Sequence, residues 1–460
     1  MSLDDLNAQV AADLTKIEAG KPTWVRETRG VYDVVIVGGG QSGLGAAFGL
    51  IRERMSNILI IDENPAGYEG PWDTYARMVT LRTPKEITSI DLGIPSLTFR
   101  SFWEAQHGAE GWAAIDKIPR GDWMEYLRWY RAVLSLPVEN ETRLTLLDRG
   151  SDGHWRLSVE GPGGERTMAA RKVILATGIQ GGGEWHTPDL VKHLPRDRYA
   201  HTSEAIDFAT LAGKRIAILG AGASSFDNAQ HALSHGVAEA HVFVRRKALP
   251  QVNPIRFMER WGMTGRFAAL DDAAKYRVMA SFFARNQPPT NDTFQRAAAW
   301  PGFRLHLGAP WLSVREADGE VIVETPEGHH GFDFLILSTG LITDPKLRPE
   351  LALLAEDIAR WRDRYEAPAD LANPLIDDHP YLGPGFQLQG SPKLHGLFAF
   401  NYSGLISLGL SASALSGLKY AIPRLVEGVA NQLFLDDQEA ALTDYLAYDE
   451  PEFVSTWEPR

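Results

Sequence analysis

The chain is 460 residues long and 44% hydrophobic, with a formal net charge of −13 and no cysteine. That length and apolar content suffice for two or three domains with their own cores. The negative balance argues against nucleic acid or an anionic membrane face as a partner, and the missing thiols exclude thiolate metal sites, iron–sulfur clusters and a redox-active cysteine pair.

Residues 1–30 are polar, with weak helical spacing at Leu6, Val10, Leu14 and Ile17, and are expected to pack as an extension on the first domain. They lack the basic-then-apolar pattern of a signal peptide, and no run is apolar enough to span a bilayer, so a cytoplasmic location without membrane partners is expected. Val34 to Val37 then form an apolar strand leading into Gly38-Gly39-Gly40-Gln41-Ser42-Gly43 and a small-residue helix, Leu44 to Leu50. This G-x-G-x-x-G turn supplies a sharp bend, a bare backbone that phosphate can approach, and a helix N-terminus with free N–H groups. About twenty residues further on, a second strand closes in Asp62 and Glu63, where an acid accepts bonds from a ribose hydroxyl pair. An adenosine without a 2′-phosphate fits there, as in FAD.

The first domain is expected to run over 31–179 and to close in the strand Lys172 to Ala176 with the stop Thr177-Gly178. Ile216 to Leu219 lead into a second fingerprint, Gly220-Ala221-Gly222-Ala223-Ser224-Ser225, whose following strand ends in Arg245, Arg246 and Lys247. Guanidinium suits a 2′-phosphate, which points to NADPH; a solvated strand end is the other reading. Phe334 to Gly340 repeats the strand-to-glycine stop, so the chain leaves one domain, builds another and returns. The expected class is α/β, with two Rossmann-like domains: an NADPH domain, 180–334, inserted in an FAD domain, 31–179 and 335–460, the second part carrying C-terminal helices. Pro254 to Trp300 shows no strand signal and reads as an extra helical segment, either a cap over a substrate cavity or padding.

Several stretches resemble class B flavoprotein monooxygenases: flavin-containing, Baeyer-Villiger and N-hydroxylating enzymes. Gly220 to Asp227 matches a G-x-G-x-S-x-x-D variant, Tyr199 to Ser203 a His-Ser segment at His201, and Gly70-Pro71-Trp72 stands where the family has Gly-Gly-Thr-Trp. Leu81 to Glu86, Trp123 to Tyr130 and Val138 to Leu147 match as well, the last as a strand touching adenine at Leu144. Gly396 to Gly404 resembles the segment that closes the flavin site, with Asn401, Tyr402 and Ser403 either ring or substrate contacts or turn and cap residues. The resemblance implies FAD reduced by NADPH, then a C4a-(hydro)peroxyflavin that inserts one oxygen atom of dioxygen into a small organic substrate, by N/S oxidation or a Baeyer-Villiger reaction.

Departures matter too. Arg82 stands where flavin-containing monooxygenases carry an active-site Asn, and either stabilises a peroxyflavin anion or pairs with Glu86 or Asp91. The Baeyer-Villiger fingerprint is not intact around His201, so neither substrate preference carries over. His329-His330 reads as a hairpin turn and Asp377-Asp378-His379 as a solvated turn, so no metal site is expected. The competing functional readings are a flavoprotein reductase serving a small carrier protein and a non-catalytic flavin sensor.

Overall fold

The computed structural model describes residues 2–260, 262–453 and 456–457. Helix α1 (Leu3–Lys16) packs Leu6 and Val10 into the first domain's core and receives the Trp129 Nε1–H on Asn7, while Ile17 at its end is exposed, contrary to the helical spacing. Strand β1 (Tyr32–Val37) lies parallel between β2 (Ile58–Ile61) and the C-terminal half of a long strand whose other half turns into a meander. Helix α2 (Gln41–Arg52) follows β1. Its small residues have a packing reason: a Cβ at Gly45 would stand 2.5 Å from Ile422 Cδ1, so glycine lets the C-terminal helix lie directly on it.

Helices α3 (Phe99–Ala114) and α4 (Arg120–Val133) carry an aromatic core of Phe99, Phe102, Trp123, Tyr126 and Trp129. The expected single strand over 138–147 is two: β3 (Val138–Glu139), which extends the parallel sheet beside β2, and β4 (Arg143–Arg149), the edge of an antiparallel meander with β5 (Trp155–Gly161) and β6 (Gly164–Leu175). The break falls at Glu141, which takes φ 53°, and Thr142, whose N–H donates to Asp62 O. Leu144 is therefore a half-buried residue of β4 paired with Val159.

Strands β7 (Gly183–Trp185), β8 (Tyr199–His201) and β9 (Arg215–Leu219) come next, then α5 (Ala223–Ser234) and β10 (Glu239–Val244). The segment expected to be helical holds α6 (Pro254–Met258), α7 (Met263–Arg266), α8 (Asp272–Arg285) and α9 (Asn291–Ala298). It divides in two. Phe294 of α9 packs with Phe226 of α5, whereas Met258, Phe267, Tyr276 and Met279 join a cluster with Trp361, Leu405 and Ile406.

Strand β11 (Phe303–Leu307) is followed by a three-stranded antiparallel sheet of β12 (Ser313–Ala317), β13 (Glu320–Thr325) and β14 (Gly328–Phe332), with His329 and His330 on its last strand rather than in a turn. Strand β15 (Phe334–Leu337) completes a second parallel sheet in the order β11-β10-β9-β15-β8. It belongs wholly to this sheet, so the boundary expected at 334/335 falls inside a strand; the chain crosses back through β16 (Leu341–Thr343), which pairs antiparallel with β7. Past α10 (Pro374–Asp377), strand β17 (Leu397–Ala399) rejoins the first sheet on β6. Helix α11 (Leu405–Leu408), α12 (Leu415–Asp436) and α13 (Gln438–Ala447) follow. Among the described residues, no helix is long and apolar enough to cross a membrane.

At Gly43 a Cβ would stand 1.8 Å from Gly38 O, whereas at Gly121 nothing lies within 4 Å. Gly43→Ala is expected to cost about 1–3 kcal/mol through overpacking, and Gly121→Ala to be neutral or stabilising by up to about 1 kcal/mol. Thermal denaturation of the two variants checks this; equal stability would show that the turn relaxes freely.

Candidate functional site

The two glycine turns share one geometry. Gly38 takes φ 107° and Gly220 φ 145°, and a Cβ would stand 2.5 Å from Ala176 O in the first and 2.4 Å from Ser338 O in the second. Each turn therefore crosses the end of the neighbouring strand, β6 or β15, at a distance only glycine permits. Gln41 and Ala223 open the helices behind, with Gly40 and Gly222 as caps that lack a side chain and leave the first N–H groups to a ligand.

The first turn fits a dinucleotide. A Cβ at Gly40 would reach within 3.6 Å of Gly70 Cα, and the Trp72 Nε1–H is buried with no acceptor among the described residues. Ser42 and Gly43 are buried in the first turn of α2, and the Gln41 side chain accepts the Trp123 Nε1–H at 3.1 Å. Asp62 is buried and already accepts the Gly39 N–H at 2.7 Å and the Asn64 N–H at 2.8 Å; burial raises its carboxyl and those N–H groups pull it back. It pins the turn, and Glu63 beside it is exposed. Sequence reasoning passed over Glu69, which stands in place of the family's first glycine. Its buried carboxylate is held by Arg131 and by Asn140 Nδ2 at 2.6 Å, and it walls a cavity of about 430 Å³ with Gly39, Leu44, Met124 and Leu127.

In the second turn Ser224 is exposed and Ser225 Oγ is buried without a partner among the described residues. Arg246 Nη2 donates to Ala284 O of α8 at 3.3 Å, while Arg245 is exposed at the strand end with no such bond.

Cations of the first domain hold the seam between the turns. Arg77 is buried, donating to Tyr75 O at 2.8 Å, Thr202 O at 2.6 Å and Glu204 O at 2.7 Å; burial lowers its pKa to about 10. Lys117 pairs with Asp292 of α9 at 2.6 Å. Arg82 pairs with Asp227 of α5, neither Glu86 nor Asp91, and its Nε–H is buried without an acceptor among the described residues. Burial pushes the Asp227 carboxyl up and Arg82 draws it back down. The ring of His201 stacks on Trp185 at 4.9 Å, and Trp185 meets Tyr75 edge-on at 6.3 Å. His201 Nδ1 accepts the Ser203 N–H at 3.2 Å, which places the proton on Nε2; burial lowers this histidine to about 4.

On the other side of β6, Asn401 is a pin and a cap. Its Nδ2 donates to Thr177 Oγ1 at 3.1 Å and to Gly181 O at 3.3 Å, and its Oδ1 accepts the Ser403 N–H at 2.9 Å. The Tyr402 N–H donates to Gly178 O at 3.1 Å. Its phenol has no hydrogen-bond partner among the described residues, and burial raises it to about 12. His379, expected in a solvated turn, is buried at 2% exposure, 6.1 Å between ring centroids from Tyr402 and 6.3 Å from Phe283 of α8. No group of three or more His, Asp or Glu among the described residues could hold a metal ion.

Residues 35–180 match the FAD-NAD(P)-binding family and residues 113–281 the L-lysine 6-monooxygenase/L-ornithine 5-monooxygenase family. The chain is 62% identical to a FAD-dependent urate hydroxylase of Xanthomonas campestris pv. campestris, over 99% of this chain and 98% of that one. It superposes on reduced ornithine hydroxylase of Pseudomonas aeruginosa with a TM-score of 0.73 at 17% identity, covering 88% of this chain and all of the other. A flavin-containing monooxygenase of Stenotrophomonas maltophilia gives 0.56 at 20% identity over 87% and 98%.

Removing one partner of a buried ion pair strands the other charge. Arg82→Ala is therefore expected to cost about 3–5 kcal/mol, and Arg82→Met with Asp227→Leu far less. Denaturant unfolding of the two single variants and the double variant checks this; a double-variant loss equal to the sum of the single losses would show that the pair is not coupled.

Proposed function

Since the chain belongs to the class B flavin-dependent monooxygenases, we propose that it hydroxylates urate, using FAD, NADPH and dioxygen. In the balanced reaction a ring carbon gains one oxygen atom, and NADPH, a proton and the other oxygen atom give NADP⁺ and water. The identity with a urate hydroxylase over almost the whole chain carries the reading. The charges around the flavin-side turn support it over an amine substrate like those in the names of the lysine and ornithine families. Asp227 and Glu259 are already neutralised there by Arg82 and by Arg256 at 3.1 Å, which leaves less free negative charge for an ammonium.

Bound FAD would supply hydride acceptance and oxygen activation. The chain's own part is positional. Gly38, Gly40, Gln41, Ser42 and Gly43 receive the FAD pyrophosphate on backbone N–H groups, Asp62 and Glu63 lie at its ribose, and Trp72 offers its indole N–H. Thr177 and Gly178 border the ring site through the Asn401 turn. Gly220, Gly222, Ala223, Ser224 and Ser225 receive the NADPH pyrophosphate. His201 faces the space between the domains, and α6–α8 keep water from it.

Urate is expected to drive NADPH oxidation with matching oxygen uptake and a hydroxylated product. Turnover of lysine or ornithine with none of urate would refute the reading. Because Arg246 is committed to α8, Arg245 is expected to carry the contact to the 2′-phosphate. Arg245→Ala should weaken NADPH by about 1.5–3 kcal/mol, or roughly tenfold to over a hundredfold, and leave NADH unchanged. Titration of both nucleotides distinguishes this from an indifferent strand end.

A further inference from the structure

His379 is held so completely that its chemistry follows. Segment 373–379 is tied to α8, where the Tyr276 hydroxyl donates to Asp377 at 2.8 Å and accepts the Asn373 N–H at 2.8 Å. The carbonyl of His379 accepts the Trp361 N–H at 2.9 Å, and Trp361 in turn donates to Ser407 of α11 at 3.0 Å. Its ring nitrogen Nδ1 lies 2.6 Å from Leu375 O. A carbonyl only accepts, so Nδ1 carries the proton and Nε2 presents a bare lone pair on the side of the ring away from α10. That lone pair is buried and has no partner among the described residues. Burial also lowers the histidine to about 4, which keeps it neutral at physiological pH.

An acceptor left without a donor inside a protein costs about 1–3 kcal/mol, and native structures keep few of them. This one sits between the inserted helix, at Phe283, and the flavin-side turn, at Tyr402. The aromatic rings on these two sides, tilted by 56° and 44° against the imidazole, leave an apolar setting with one directional acceptor. That is the complement of a planar heterocycle carrying a ring N–H.

We propose that His379 is a specificity-determining residue whose Nε2 accepts a hydrogen bond from one ring N–H of a urate-class oxopurine lying against Tyr402. The proposal rests on the urate reading and deepens it. A site that pairs a buried acceptor with a substrate N–H rejects analogues lacking that proton far more strongly than an apolar pocket rejects an extra methyl group.

The test is ligand binding to the oxidised, FAD-loaded enzyme, read from the flavin absorption spectrum, with urate and its four mono-N-methyl derivatives. In the native enzyme one methyl isomer is expected to bind tenfold or more weakly than the others. His379→Asn retains a donor for Leu375 O but removes the Nε2 acceptor. It should weaken urate about tenfold while binding urate and the rejected isomer alike. If His379→Asn changes nothing, or weakens every ligand by one factor, the assignment falls. Should that variant not fold, the native enzyme still decides, since equal affinity for urate and all four isomers overturns it. Absence of any urate binding to the native enzyme overturns the functional reading and this inference together, an outcome distinct from urate binding without isomer selectivity.

Discussion

The two parallel sheets can cooperate only if their carboxyl ends are fixed in relation to each other, and cations at the seam, one buried and two half-buried, impose that. Arg77 is the extreme case, because among the described residues three backbone carbonyls, and no carboxylate, compensate it. A guanidinium removed from water costs several kcal/mol unless its N–H groups all find acceptors in fixed directions. Two of the three carbonyls, Thr202 and Glu204, belong to the second domain, so a small shift between domains would unsatisfy a buried charge. Arg82 with Asp227 and Lys117 with Asp292 repeat the constraint at two further points. The site between the glycine turns inherits its dimensions from these bonds.

The inserted helices serve both sides of that seam. Helix α9 completes the second domain's core on α5, while α6–α8 reach across to Trp361 and Leu405. Arg256 of α6 donates to Arg82 O at 2.9 Å, so the segment that packs on Leu405 and Ile406 is bonded to the residue that pairs with α5. Inserted helices and seam are therefore one bonded structure.

What the sequence made legible was local. The fingerprints, the strand-to-glycine stops and the helical insertion all depend on residues within a few positions of one another, where backbone sterics act. Arg82 defeated that reasoning because its partner lies 145 residues away, although the Asp of G-x-G-x-S-x-x-D was in view as a motif residue. The strand expected over 138–147 failed because a left-handed Glu141 divides it, which apolar patterning does not register. His379 looked solvated among Asp377 and Asp378, yet both acids are spoken for, by Tyr276 and Arg362, and the histidine turns inward. Glu69 was the signal available and unread: a charged residue in a glycine position beside a phosphate turn needs buried partners, and Arg131 and Asn140 are those partners.

The polar groups near the seam and the Asn401 turn also define what they can offer a ligand. Two histidines, His201 and His379, are neutral at physiological pH because burial pushes both to about 4. Each is locked in one tautomer, His201 as a donor and His379 as an acceptor at Nε2. The guanidinium of Arg82 is largely offset by Asp227, although its Nε–H remains to be used. With both histidines neutral and Arg82 paired, directional hydrogen bonds rather than net charge are what these groups can offer. Directional bonds discriminate by what a ligand lacks, since a missing N–H leaves a buried group unpaired. Groups of this kind trade tightness for selectivity, because a ligand lacking one proton leaves one of them buried and unpaired.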